Sequence, residues 1–182
     1  MRYFLSKAMP PFDRVLLVES GSRLLFEDML SGLYEKHPNL QADLVTCYAG
    51  LPEHFRSERG RAYRVADYPD SNTRKGLYAE LSSNRYNVIV IICAAQPIMT
   101  KWKWMLALRI PAKLLVLNEN CDYFWFDRGH TAIIWSFILY RAGLSGAGAV
   151  RTMARLLVFP FALLYLILFA ATVHVRRKLR TL

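Results

Sequence analysis

Residues Tyr86–Cys93 read YNVIVIIC, with five β-branched residues in a row from Val88 to Ile92. A run that is apolar at every position has no solvent side. It predicts a strand covered on both faces, as in a parallel sheet sandwiched by helices. Shorter runs of the same kind lie on either side: Arg14–Glu19 (RVLLVE), Ala42–Tyr48 (ADLVTCY), Ala62–Val65 and Ala112–Asn118 (AKLLVLN). Between the first two, Leu24, Leu25, Met29, Leu30, Leu33 and Tyr34 recur at helical spacing until Pro38. Leu77, Tyr78 and Leu81 mark a second helix starting near Ser71–Thr73, and Trp102–Leu108 a third that stops before Pro111. Strands alternating with helices over short crossovers predict an α/β fold: an open, parallel, Rossmann-like sheet of about five strands with flanking helices.

The far end of the chain is chemically different. The 182 residues carry a formal charge of +10, but residues 1–130 hold 17 of the 24 Lys and Arg and all 14 acids. Residues 131–182 hold seven bases and no acid. These bases bracket Leu156–Val175 (LLVFPFALLYLILFAATVHV), twenty residues without a formal charge. As a helix they span about 30 Å, the thickness of a bilayer core. The expected division is an α/β domain over 1–128, a helical connector over 129–155, and a membrane segment with a basic tail over 156–182. Spanning is the first reading of that segment. Alternatives are a re-entrant hairpin formed by 133–140 with 156–174, and a helix buried against a protein partner. Basic residues bracketing an apolar run favour anionic lipid headgroups, and no Lys/Arg run interleaved with aromatics suggests nucleic acid.

The apolar run in MRYFLSKAMPP is too short for a signal peptide, so the domain is expected on the cytoplasmic side of the membrane. Cys47, Cys93 and Cys121 form no Cys-x-x-Cys pair and read as buried thiols in a reducing compartment. No His or Cys spacing calls for a metal, and no motif calls for a cofactor.

In an open α/β sheet, ligands sit at the carboxyl ends of the strands. Ser20, Gly21, Ser22 and Arg23 follow the first strand and offer hydroxyls, backbone N–H groups and a positive charge to an anion; an ordinary turn is the plainer reading. Gln96, Thr100 and Lys101 follow the central strand, with Lys103 and the flanking Trp102 and Trp104. That mixture suits lipid headgroups, a bound sugar or phosphate, or simple packing. Glu119, Asp122 and Asp127, with Glu19, are the carboxylates available for acid–base work or a divalent ion; capping of turns is the competing role.

The succession DRVLLVESGS, helix, HPNLQADLVT, RYNVIVII and LRIPAKLLVLN over about residues 12–120 resembles the N-terminal half of the two-domain heptosyltransferases that build lipopolysaccharide cores. Arg109-Ile110-Pro111 and Tyr86-Asn87-Val88 carry the likeness most closely. The resemblance implies an acceptor-binding half domain. Where the family has Gly-Asp, with the Asp as general base, this chain has Gly21-Ser22. A serine needs an activating partner for that role. The apolar segment stands where the family's donor-binding half would follow, so a second polypeptide would have to supply the nucleotide-sugar site. Three functions are therefore expected in order: a membrane-anchored, transferase-like half domain that binds or assembles envelope or exopolysaccharide components without catalysis; an acceptor-binding subunit of a transferase complex; and a structural membrane-associated α/β protein.

Overall fold

The structure is a computed structural model that describes residues 3–94, 96–120, 122–145 and 149–180. Cys121, and Gly146 and Gly148 of the glycine-rich stretch, lie outside the described residues. The chain divides into two compact units, Met1–Thr131 and Ala132–Leu182.

The first unit is a six-stranded sheet in the order β3-β2-β1-β4-β5-β6. Its elements in chain order are β1 (Arg14–Val18), α1 (Arg23–Lys36), β2 (Gln41–Thr46), β3 (Ala62–Arg64), α2 (Ser71–Ser83), β4 (Val88–Ile92), α3 (Thr100–Arg109), β5 (Lys113–Leu117) and β6 (Tyr123–Trp125). The first five strands are parallel, as expected. The sixth pairs antiparallel with β5 and makes the sheet mixed. β4 is buried at every position, which is what its unbroken apolar run requires. Val15, Leu17, Val88, Val90 and Ile92 line one face and pack with Phe26, Leu30 and Tyr34 of α1, residues four apart on one helix face. Leu16, Ile89, Ile91 and Val116 alternate with them and are buried too. Each fully buried Leu, Ile or Phe contributes about 1.5–3 kcal/mol.

Several charged side chains lie inside this unit. Asp43 accepts hydrogen bonds from the Arg61 N–H (2.7 Å) and from the Tyr86 hydroxyl. Burial, and the hydrogen bond to Asp43, push the Tyr86 phenol well above its ordinary pKa. Lys113 and Asp127, 3% and 2% exposed, pair at 2.9 Å. Cys93 is buried as expected, but Cys47 is exposed. Cys47 directly follows β2, where the apolar run ends and its side chain turns outward.

The second unit contains most of α4 (Thr131–Arg141) and all of α5 (Ala149–Arg180). α4 stops at Gly143, whose φ of +68° suits a residue without a Cβ. Leu144 N–H donates to Leu139 O (2.8 Å) and Gly143 N–H to Tyr140 O (3.0 Å), the paired closure that ends a helix firmly. α5 is one helix of 32 residues that passes through Pro160. It runs unbroken from the end of the expected helical connector into the apolar segment from Leu156, because nothing between Ala149 and Leu156 breaks a helix. Its stretch Ala149–His174 contains an 18-residue window with a mean hydropathy of 2.5 and is long and apolar enough to cross a membrane. Leu157, Phe159, Phe161, Tyr165, Leu166 and Phe169 are all more than half exposed.

Candidate functional site

The strand order reverses between β1 and β4, so the crevice of such a sheet is expected at the carboxyl ends of these two strands. Glu19 to Arg23 and Cys93 to Lys101 both arrive there. The first segment folds sharply because Ser22 ends the turn as the cap of α1, its hydroxyl accepting from Leu25 N–H (3.4 Å).

The side chains at this point are engaged with one another. Ser20, fully buried, donates to Ile92 O (2.9 Å) and accepts from Ile92 N–H (3.0 Å), so its hydroxyl extends the ladder between β1 and β4 by one step. Lys103, 5% exposed, returns from α3 and donates to the same carbonyl at 3.0 Å. A Cβ on Gly21 would stand 2.5 Å from Ile92 Cγ2, so the glycine is needed for close packing onto that side chain. Gly21→Ala is expected to destabilise the domain by about 2 kcal/mol, since Ile92 is itself fully buried and has nowhere to move. Thermal unfolding of the full chain in detergent measures the loss.

Glu19 is fully buried. It accepts from the Thr46 hydroxyl and from Arg23 Nε (2.9 Å) and Nη2 (3.3 Å). Arg23 also donates to Ala49 O (3.0 Å) and Gly50 O (3.2 Å) and lies over the Tyr48 ring, while the Tyr48 hydroxyl donates to Gly21 O (3.0 Å). Glu19, Arg23, Thr46 and Tyr48 thus lock the loops after β1 and β2 together. The structure brings Glu19, Ser20, Gly21, Ser22 and Arg23 into one network, but it is a network of internal bonds. Desolvation raises the pKa of the adjacent Cys47 thiol, the reverse of what activates a nucleophile.

The remaining candidates are dispersed. Gln96, Thr100 and Lys101 are exposed. Met99, just before α3, has a φ of +50° and offers that helix no side-chain cap. The tryptophans diverge: Trp102 meets Tyr78 of α2 (ring centroids 5.8 Å), Trp104 meets Phe126 (6.5 Å), and Lys103 between them points inward. The carboxylates do not gather. Asp122 accepts from Asn118 Nδ2 (3.1 Å) beside the carboxyl end of β5, where Leu117 pairs with Tyr123. Asp127 lies past the other end of β6, with Lys113 and with His130 Nδ1 at 2.8 Å. Glu119 shares the turn between Asn118 and Asp122. Among the described residues no three His, Cys, Asp or Glu side chains come together as metal ligands.

Hollows occur elsewhere on this unit. One of about 450 Å³ opens toward the amino ends of β4 and β5, lined by Arg85, Asn87, Pro111 and Lys113 among others. Another, of about 230 Å³, lies between α2 and α3 and is lined by Ser71, Arg74, Lys75, Tyr78, Lys101, Trp102, Met105 and Arg109. Sequence spacing pointed to Lys101 and Trp102 but not to their α2 neighbours, which only the β3–α2–β4–α3 path brings alongside. Compared with known proteins, the chain matches no family model, no curated protein and no solved structure.

Proposed function

We propose that this chain is a membrane-anchored α/β protein whose head acts by binding or scaffolding, without catalysis of its own. The observation that carries this reading is the crevice at the β1–β4 reversal. Ser20, Lys103 and the Gly21–Ile92 contact fill it, and Glu19 is saturated by Arg23 and Thr46. A general base must reach a substrate proton, and a fully buried carboxylate with these partners has none within reach. Anchoring is supported by α5, whose exposed apolar side chains are unfavourable in water and favourable in hydrocarbon. Bases without acids on both flanks support contact with anionic headgroups.

The finer form of the proposal places the protein in assembly of envelope or exopolysaccharide components, on the strength of the heptosyltransferase-like succession of segments. An acceptor-binding subunit would require a partner to bring the donor site. Full-length protein purified in detergent is expected to be inert toward a panel of nucleotide sugars, measured by release of the nucleotide. Turnover by the chain alone would overturn the reading. Co-purification of a nucleotide-sugar-binding subunit, with transfer by the pair, would replace it with the two-chain transferase.

A further inference from the structure

We propose that the hollow between α2 and α3 binds a phosphate ester. All four charged side chains that line it, Arg74, Lys75, Lys101 and Arg109, are cationic, and they come from two helices. Two are held in place. Arg74 donates to Pro69 O (2.7 Å) and Asp70 O (2.8 Å), and Arg109 lies 4.6 Å over the Tyr78 ring. Lys75 and Lys101 are exposed at the rim. The nearest acid in sequence, Asp70, is turned to the cap of α2, where it accepts from Asn72 N–H (2.8 Å), Thr73 N–H (2.9 Å) and the Thr73 hydroxyl (3.0 Å).

Three of these cations stand against helix electrostatics, while Arg109, in the last turn of α3, accords with them. The amino end of a helix carries partial positive charge and favours acids. Neither α2 nor α3 has an acid in its first turn; Arg74, Lys75 and Lys101 stand near those ends instead, and α3 has no side-chain cap. Asp70 caps the α2 end, but the α3 end has no such cap and no acid among the described residues lines the hollow, so an anion set among the four cations relieves their mutual repulsion. A phosphate accepts hydrogen bonds from several such donors at once. Trp102, Tyr78 and Met105 add an apolar wall for the esterified part of the ligand. About 230 Å³ is below the roughly 300–1,000 Å³ of pockets for drug-sized ligands, so the body of the ester is compact: a glycerol- or headgroup-sized moiety. The chemistry is shared by soluble phosphate esters and by the headgroups of anionic phospholipids. The hollow belongs to the first unit alone, so the proposal stands whether or not α5 crosses a bilayer.

The test uses the full chain in detergent micelles, titrated in one arm with glycerol 3-phosphate and in the other with phosphatidylglycerol in mixed micelles. The basic tail attracts anionic lipid by itself, so both arms use a background in which Arg176, Arg177, Lys178 and Arg180 are changed to Gln. Binding is read by calorimetry and by tryptophan emission, to which Trp102 contributes. The expected result is saturable binding in at least one arm, weakened tenfold or more by Lys75→Glu with Lys101→Glu. Both positions are exposed, and an unchanged melting temperature checks the fold; Lys75→Gln with Lys101→Gln serves if charge reversal disturbs it. Binding of glycerol 3-phosphate assigns a soluble ester, and binding of the lipid alone assigns a headgroup. No binding in either arm, or binding that the charge changes leave intact, overturns the proposal.

Discussion

Asp127→Ala is expected to destabilise the head by about 3–5 kcal/mol, enough to lower its melting temperature by roughly 15 °C. Asp127 closes a buried cluster at the amino end of β5. Its carboxylate pairs with Lys113 (2.9 Å), accepts from Gly129 N–H (2.8 Å) and meets His130 Nδ1 (2.8 Å). Lys113 also donates to Ser6 O (3.2 Å) and Ala8 O (2.8 Å), which ties down the N-terminal segment, and it sits over the Trp125 ring. Removing the carboxylate leaves the Lys113 ammonium 3% exposed with two carbonyls and the Trp125 ring but no counter-charge, and an uncompensated buried charge is the costly outcome. Replacing both partners, as in Asp127→Leu with Lys113→Met, is expected to cost much less, because the desolvation of both charges disappears together.

The same cluster sets an acid limit. Burial pushes the Asp127 carboxyl up, but hydrogen bonds from His130, Lys113 and the Gly129 N–H, with the Lys113 charge, outweigh it and hold the pKa at about 2, below the ordinary 3.8. A depressed carboxyl stabilises the fold above its unfolded pKa and loses that contribution as pH falls through the folded one. The window is therefore about pH 4 down to about pH 2, with a loss of about 2.5 kcal/mol. Denaturation followed across that range should show the decline in the parent chain and a smaller one in Asp127→Asn.

Gly60→Ala is the second large effect, at about 3 kcal/mol. A Cβ at position 60 would lie 1.8 Å from Ala42 O and 2.5 Å from Ala42 C. The obstacle is the backbone of β2, which cannot rotate aside as a side chain can. The approach to β3 must lift away, taking with it the Leu44 N–H bond to Arg61 O (2.8 Å) and the Arg61 N–H bond to Asp43 (2.7 Å). β3 is a three-residue edge strand, so hydrogen exchange at Leu44 should accelerate in the variant more than at Ile91 in the central strand. Equal acceleration at both positions would show a global effect instead.

The residues that announced the fold are those whose pattern is local. Val88–Ile92 reads as a doubly covered strand, the helical spacing of Leu30 and Tyr34 marks the buried face of α1 (Phe26 completes that face without standing out in the spacing, and Leu24, which does stand out, is exposed), and the twenty uncharged residues from Leu156 stand out in any hydropathy reading. What escaped depends on distant partners. β6 is three residues, Tyr123–Trp125, set among Asn and Asp that signal turns, and only pairing with β5 makes it a strand. Lys103, Lys113, Asp43 and Asp127 read as surface charges by residue type. Their burial depends on acceptors such as Ile92 O and Ser6 O, which lie 11 and 107 positions away from the lysine concerned. The loops at the carboxyl ends of the strands were legible as places. That Ser20 and Glu19 would be occupied by Ile92, Thr46 and Arg23 was not, since each of those bonds forms only when β1, β2 and β4 align.

The most direct test of the anchor is an alkaline carbonate wash of membranes from cells producing the full chain. A helix whose apolar side chains from Leu156 to Phe169 lie in hydrocarbon keeps the protein in the pellet until detergent is added. Recovery in the carbonate supernatant as a monomer that stays soluble without detergent would contradict membrane insertion by α5.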